Sequence, residues 1–261
     1  MAHLDESQIR FDDAGTGPVV VLIHGFPLDR TVWREVALAL RRSCRVINVD
    51  LPGFGESAGV DAFTMSDQAD ALARFIESRG FGPVVMAGLS MGGYVAQAFA
   101  ASHEPMLRGL VLVGTKHVAD DEAAKKKRDA MIELVRTAGA GAIAEQMMPS
   151  MFHRDTYTLK PALVQRLRAV MNACPAVTIA QALAAMRDRP DHSETLRALS
   201  VPLQVIVGEG DVISTPELMK SAAAMSKRSS VSVVEHAGHL VPLEEPDAVA
   251  HAIAGFMRGV S

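Results

Sequence analysis

Five residues, Gly88-Leu89-Ser90-Met91-Gly92, combine a hydroxyl with flanking glycines in the order G-x-S-x-G. They follow the apolar run Val84-Val85-Met86-Ala87 and open a segment of helical character from Tyr94 to Ala101. A serine on such a turn between strand and helix is strained and projects its hydroxyl outward. The glycines are needed because a Cβ at either position would clash with neighbouring backbone in so tight a turn. At a helix N-terminus, free amides and the helix dipole favour developing negative charge. That is the setting of a nucleophile.

A serine hydroxyl needs a base within hydrogen-bond reach, and the base needs an orienting partner. Open parallel sheets place such groups at the carboxyl ends of their strands. After the run Leu203 to Val207 comes Gly208-Glu209-Gly210-Asp211, which makes Asp211 the candidate acid and Glu209 its alternative. After Val231 to Val234 comes Glu235-His236-Ala237-Gly238-His239-Leu240-Val241-Pro242. His239, between a glycine and a proline turn, is the candidate base. His236 is the alternative; it lies closer to the strand, where burial of its side chain is expected. A lone loop aspartate or histidine is usually structural. Three such groups, each one loop past a strand and in the order Ser, Asp, His, favour catalysis.

A developing oxyanion needs donors. The amide of Met91, just after the nucleophile, is one candidate. The other belongs to the loop His24-Gly25-Phe26-Pro27, where the Phe26 amide follows a glycine at a strand end. His24 reads as a structural residue that braces this loop.

These groups require a particular scaffold. Val19 to Ile23, Arg45 to Val49, Val84 to Ala87, Gly109 to Val113, Leu203 to Val207 and Val231 to Val234 read as strands. Helical patterns fall near 30–42, 66–78, 216–224 and 247–257. Unbroken strands separated by helices predict an α/β fold with a mostly parallel central sheet covered on both faces. The alternation stops between about Thr115 and Arg197, in a helix-prone stretch that Pro149, Pro161, Pro175 and Pro190 should divide. The expected division is a core of 1–115 and 197–261 with a helical cap at 116–196. The charge run Lys125-Lys126-Lys127-Arg128 reads as a solvated helix face beside Asp120, Asp121 and Glu122.

Composition excludes several function classes. A formal net charge of −4 with no basic stripe argues against nucleic acid. Cys44 and Cys174 fit no metal spacing and suggest free, buried thiols in a reducing compartment. The polar, acidic start Met1 to Glu6 is unlike a secretory signal, and Val19 to Ile23 is too short to span a bilayer. A cytoplasmic protein without membrane association is the expectation. Nothing in the sequence encodes a readable oligomeric state.

With these residues located, the chain resembles the α/β-hydrolase superfamily along nearly its whole length. The likeness rests on His24-Gly25-Phe26-Pro27, Asp50 to Ser57, the elbow Gly88 to Gly93, Gly208-Glu209-Gly210-Asp211, Gly238-His239 with Pro242, and Glu245-Pro246. The resemblance implies Ser90 as nucleophile, His239 as base, Asp211 as orienting acid, an oxyanion hole from the Phe26 and Met91 amides, and no metal or organic cofactor. More narrowly, His24 to Asp29 with Trp33, Gly88 to Tyr94 and Gly114-Thr115-Lys116 are similar to the esterases and lactonases grouped around 3-oxoadipate enol-lactonase. The implied reaction is acyl transfer from a small-molecule ester or lactone. Enol-lactone hydrolysis specifically, C–C bond hydrolysis, cofactor-free perhydrolysis and slow-turnover ligand sensing are the alternatives. Met147, Met148, Met151 and Phe152 of the cap are the candidate pocket residues.

Overall fold

The computed structural model describes residues 6–57, 59 and 61–260; most of the acidic start, with His3, lies outside the described residues. A 3-10 turn, Glu6–Gln8, precedes a short strand, β1 (Phe11–Ala14), which is followed by β2 (Val19–Ile23). A 3-10 turn, Arg30–Trp33, runs into α1 (Arg34–Leu40), where the sequence suggested one helix. Then come β3 (Arg45–Val49), α2 (Met65–Ser78), β4 (Val84–Leu89), α3 (Met91–His103) and β5 (Leu107–Val113). Five helices follow without a strand: α4 (Glu122–Met147), α5 (Thr156–Leu159), α6 (Pro161–Ala173), α7 (Ala176–Arg187) and α8 (Ser193–Ala198). The alternation resumes with β6 (Leu203–Gly208), α9 (Pro216–Met225) and β7 (Ser229–Val234). The chain ends with α10 (Val241–Glu244) and α11 (Pro246–Val260).

Among the described residues seven strands form one sheet, in the order β1-β3-β2-β4-β5-β6-β7. Every neighbouring pair is parallel except β1 with β3. Alternate residues feed two cores, as the pleat requires. Val21, Ile23, Met86, Leu112 and Val205 join the side that holds α2, α3 and α9. Val20, Leu22, Val85, Val113 and Ile206 join the side that holds α1 and α11. β7 is an edge strand, and Val231 and Val233 are about two-fifths exposed, so the covering stops short of that edge.

Local chemistry sets the boundaries of the elements. Thr64 and Asp67 form a reciprocal capping box that starts α2, because each side chain satisfies an amide the helix leaves free. Between β5 and β6 the prolines act as punctuation. Pro149 lies in the 3-10 turn after α4, Pro161 opens α6, Pro175 precedes α7, and Pro190 separates α7 from α8. Gly139 adds a break inside α4, at φ 78°, that prolines alone did not foretell. The charged run sits on α4: Lys125 pairs with Glu122 at 3.2 Å and Arg128 with Asp120 at 3.0 Å. The chain leaves and rejoins the sheet side by side, where the His192 amide donates to the His117 carbonyl at 2.8 Å. Both cysteines are free and buried.

Candidate active site

Ser90 sits between β4 and α3 at φ 52°, ψ −111°, a conformation L-residues seldom adopt. The surroundings hold it there. Its amide donates to the Val113 carbonyl of β5 at 2.9 Å, and its carbonyl accepts from Gly93 N at 2.9 Å. The flanking glycines have no room for a side chain. A Cβ on Gly88 would lie 2.3 Å from the Gly92 carbonyl oxygen, and one on Gly92 would lie 2.4 Å from that of Ile23. The G-x-S-x-G spacing thus brings β4, α3 and the end of β2 into direct backbone contact.

His239 and Asp211 meet this serine from two loops. His239 Nε2 lies 2.9 Å from Ser90 Oγ, and His239 Nδ1 lies 2.9 Å from Asp211 Oδ2. The second carboxylate oxygen of Asp211 accepts from the amides of Ile213 at 2.8 Å and Ser214 at 2.9 Å. Those amides fix the carboxylate's rotation. An ionised carboxylate only accepts, so the histidine's proton belongs on Nδ1 and its lone pair on Nε2, facing the serine hydroxyl. His239 and Asp211 are buried, while Ser90 is half-buried.

The two alternatives lie elsewhere. Glu209 is exposed, and its amide is spent on the Val234 carbonyl at 2.9 Å. His236 is exposed rather than buried. Its φ of 57° turns it out of the path of β7, so proximity to the strand did not bury it.

The loop after β2 runs against the nucleophile: a Cβ on Gly25 would lie 3.3 Å from Ser90 Cβ. His24 braces this loop. Its Nδ1 donates to the Gly25 carbonyl at 2.8 Å, and its Nε2 accepts from Leu51 N at 3.1 Å. Burial pushes its imidazole below the usual range, consistent with a neutral ring using one nitrogen as donor and the other as acceptor. Met91 is the first residue of α3, so its amide has no carbonyl one turn earlier to bond. No described hydrogen bond engages the amide of Phe26 or Met91.

Of the four candidate pocket residues, Met148 and Phe152 line a cavity of about 770 Å³ that also touches Gly210 and Val212. Met147 lines a smaller one of about 210 Å³, with Lys116, Lys127, Met131 and Ile213. Met151 is buried in the core on the α1 and α11 side. Two arginines of the helical stretch are committed to carboxylates, whereas Arg154, mostly exposed, lines the larger cavity. Arg189 is buried against Asp120 at 2.8 Å, and Arg187 pairs with Asp129 at 2.6 Å. Among the described residues no cluster of His, Cys, Asp or Glu could hold a metal ion.

Two residues outside the sequence expectation support the site. Thr115 Oγ1 donates to the Ser90 carbonyl at 2.7 Å. Glu244 accepts from the amide of Gly238, the residue before His239, at 2.7 Å. A hydroxyl just past β5 was a possible signal for the first. Nothing in the side-chain pattern signals the second, which is the last residue of a short helix and is followed by another glutamate.

A sequence model of the Alpha/beta hydrolase family matches residues 20–252. A thermophilic esterase from Thermogutta terrifontis, solved with malate bound, superposes with a TM-score of 0.94 at 42% identity, over 97% of this chain and 93% of that one. The 2-succinyl-6-hydroxy-2,4-cyclohexadiene-1-carboxylate synthase of Salmonella arizonae is 28% identical over 249 residues, 92% of this chain and 94% of that protein. The enol-lactonase of Burkholderia xenovorans LB400 superposes with a TM-score of 0.88 at 23% identity, over 96% of each chain; this likeness is one of fold.

Proposed function

The chain belongs to the Alpha/beta hydrolase family, and from that premise we propose that it cleaves carboxylic esters or lactones by acyl transfer through Ser90. One observation carries the reading: the line from Ser90 Oγ through His239 to Asp211, at 2.9 Å for each step, beside a serine held at φ 52°. The 42% identical esterase supports an ester as the substrate class.

In the first step His239 Nε2 takes the proton as Ser90 Oγ attacks the carbonyl. The oxyanion forms between the amides of Phe26 and Met91. Asp211 keeps the imidazole in its working tautomer and stabilises the imidazolium. His239 then protonates the leaving alcohol, and water activated by the same nitrogen releases the acid. The smaller cavity touches Ile213, whose amide holds Asp211, and Lys116, which follows Thr115. Neither this cavity nor the larger one is lined by Ser90, His239, Phe26 or Met91.

The 28% identical synthase favours a second reading, non-hydrolytic chemistry on the same three residues. A panel of p-nitrophenyl acetate and butyrate, simple lactones and vinylogous diketones tests for hydrolysis, and turnover of none of them by a chain that still labels at Ser90 would favour the second reading. Ester turnover that vanishes in Ser90→Ala, with a fluorophosphonate adduct at Ser90 in intact-protein mass spectra, is the expected result. Strong diketone cleavage without ester turnover would overturn the ester assignment, and an adduct on another serine would overturn the site.

A further inference from the structure

Glu244 closes α10, five residues after His239, and is buried. Burial pushes its carboxyl above the usual range, against the pull of its hydrogen-bond donors. Among the described residues no salt bridge reaches this carboxylate. Three donors do. Oε1 accepts from the His153 amide at 2.7 Å and the Thr156 hydroxyl at 2.7 Å. Oε2 accepts from the Gly238 amide at 2.7 Å.

The two oxygens face different parts of the molecule. His153 lies in the turn before α5 and Thr156 opens that helix, whereas Gly238 immediately precedes His239. The same two segments meet again beyond the histidine, where Leu240 N donates to the Met151 carbonyl at 3.1 Å. They also touch directly: a Cβ on Gly238 would lie 2.4 Å from His153 N. Lys160 adds a bond from its ammonium to the Glu244 carbonyl at 2.6 Å. His239 is therefore bracketed by contacts to the 151–156 turn on both sides.

A carboxylate suits this position for a specific reason. Both of its oxygens accept, so it can serve two segments at once. Glutamine has the same length, but its amide nitrogen would face a backbone N–H on one side or the other. A leucine would leave all three donors unpaired in the interior.

We propose that Glu244 is a positioning residue: it aims His239 at Ser90 through the Gly238 amide and seats the 151–156 turn beside the site through His153 and Thr156. The inference rests on the serine-hydrolase reading above. It makes one carboxylate the link between the helical segment over the site and the proton-transfer geometry within it.

The test uses the full-length chain and E244Q, E244D and T156V, each checked for fold by circular dichroism. Fluorophosphonate labelling of Ser90 is timed, and p-nitrophenyl ester kinetics are followed from pH 6 to 9. Misaiming a reacting group by about an ångström costs about 100-fold, so E244Q is expected to slow both labelling and kcat by about 10- to 100-fold. The acid limb of its kcat/KM profile, which reports the base of the free enzyme, should move. T156V keeps the Gly238 bond and should raise KM more than it lowers kcat. E244D, one methylene short of spanning both segments, should slow labelling at least about fivefold; it carries the test if E244Q does not fold. Folded E244Q or E244D that labels at the wild-type rate with an unmoved acid limb overturns the role of Glu244 alone. A wild-type chain that takes no label at Ser90 removes the serine-hydrolase reading and this one with it.

Discussion

The Thr115 hydroxyl donates to the main-chain carbonyl of Ser90 at 2.7 Å, and the same side chain fills the space a Cβ on Gly93 would need. The elbow is thus held from the neighbouring strand as well as from its own turn. Ser90 N bonds Val113 on β5, and Thr115 reaches back from two residues further on. A residue kept in a sparsely populated region costs about 1–3 kcal/mol, and it persists only where its surroundings over-determine it. Here β5 and the loop after it supply that determination.

The first prediction concerns the glycines. A Cβ on Gly92 would lie 2.4 Å from the Ile23 carbonyl oxygen and 2.5 Å from that of His24. Both obstacles are backbone, one at the end of β2 and one at the start of the loop that would donate to the oxyanion. Gly92→Ala should lower stability by about 3 kcal/mol, the upper end of overpacking costs, and should lower kcat as the loop is displaced. Gly259→Ala is the control. It is the penultimate residue of α11 with nothing within 4 Å of the added carbon, and stability should stay within about 0.5 kcal/mol of wild type. Urea unfolding measures both. Equal stability of G92A and wild type would show that the backbone contacts give way easily.

The second prediction concerns the acid. In Asp211→Asn, the amides of Ile213 and Ser214 keep the side-chain oxygen on their side. The new NH₂ then faces His239 Nδ1 and drives the ring's proton to Nε2, where it points at Ser90 Oγ. The base is present but in the wrong tautomer. A kcat lower by about 10⁴-fold with little change in KM is expected. Retention of more than a tenth of wild-type kcat would remove Asp211 from the role; Glu209, exposed and off the line, could not inherit it without rearrangement.

Much of this arrangement was legible in the sequence, for identifiable reasons. The central strands are unbroken runs because both their faces are buried, and unbroken β-branched runs are easily seen. The loops after β4, β6 and β7 carry glycines because backbones meet there, and glycines mark the chain visibly. β1 gave no such signal. Phe11-Asp12-Asp13-Ala14 carries adjacent carboxylates, and it forms a strand only because β3 offers it a partner edge. His236 was expected inside because it follows β7, but β7 is an edge strand with exposed valines. Glu244 was invisible for a different reason. Its partners are backbone amides 6 and 91 positions away, and no side-chain pattern encodes them.

The third prediction concerns Arg189. Its guanidinium pairs with Asp120 at 2.8 Å, donates to the Val118 carbonyl at 2.9 Å, and lies 4.0 Å over the ring of Tyr94, one turn after Ser90. Burial alone would raise the Asp120 carboxyl, but Arg128 and Arg189 together hold it below the usual range. Arg189→Met strands part of that charge and should cost about 3 kcal/mol. Arg189→Lys keeps the charge but loses the planar fork and the stacking, so a smaller loss of about 1–2 kcal/mol is expected. Wild-type stability in both variants would mean that Arg128 alone neutralises Asp120.

The last prediction is a pH dependence of stability. Burial pushes the imidazoles of His24, His117 and His192 below their ordinary 6.5. For two of them the reason is visible: His117 Nδ1 and His192 Nε2 are buried without a described hydrogen-bond partner. Above pH 6.5 these rings are neutral whether the chain is folded or not, so their contribution is complete. Below it the unfolded chain takes up protons that the folded chain refuses, and stability falls toward the folded values. Each ring contributes a slope of at most about 1.4 kcal/mol per pH unit. Glu244 opposes them. Its raised carboxyl accepts a proton earlier in the folded chain, so its contribution improves as pH falls toward 4.5. It is one group against three. The lowered carboxylates Asp13, Asp120, Asp188, Asp191 and Glu217 act in a separate window, since their contribution disappears only as pH falls below about 4 to 4.5. The urea midpoint at fixed ionic strength should therefore be level above pH 7 and decline between pH 6.5 and 5, with proton uptake on unfolding. Replacing His117 and His192 by Asn should shallow that decline, because His24 alone then remains. The same two residues join main chains where the helical segment leaves and rejoins the sheet. Hydrogen exchange at the His192 amide should accordingly quicken over the same interval, once corrected for intrinsic rates. A midpoint that rises or stays level from pH 7 to 5.5 would place these protons elsewhere.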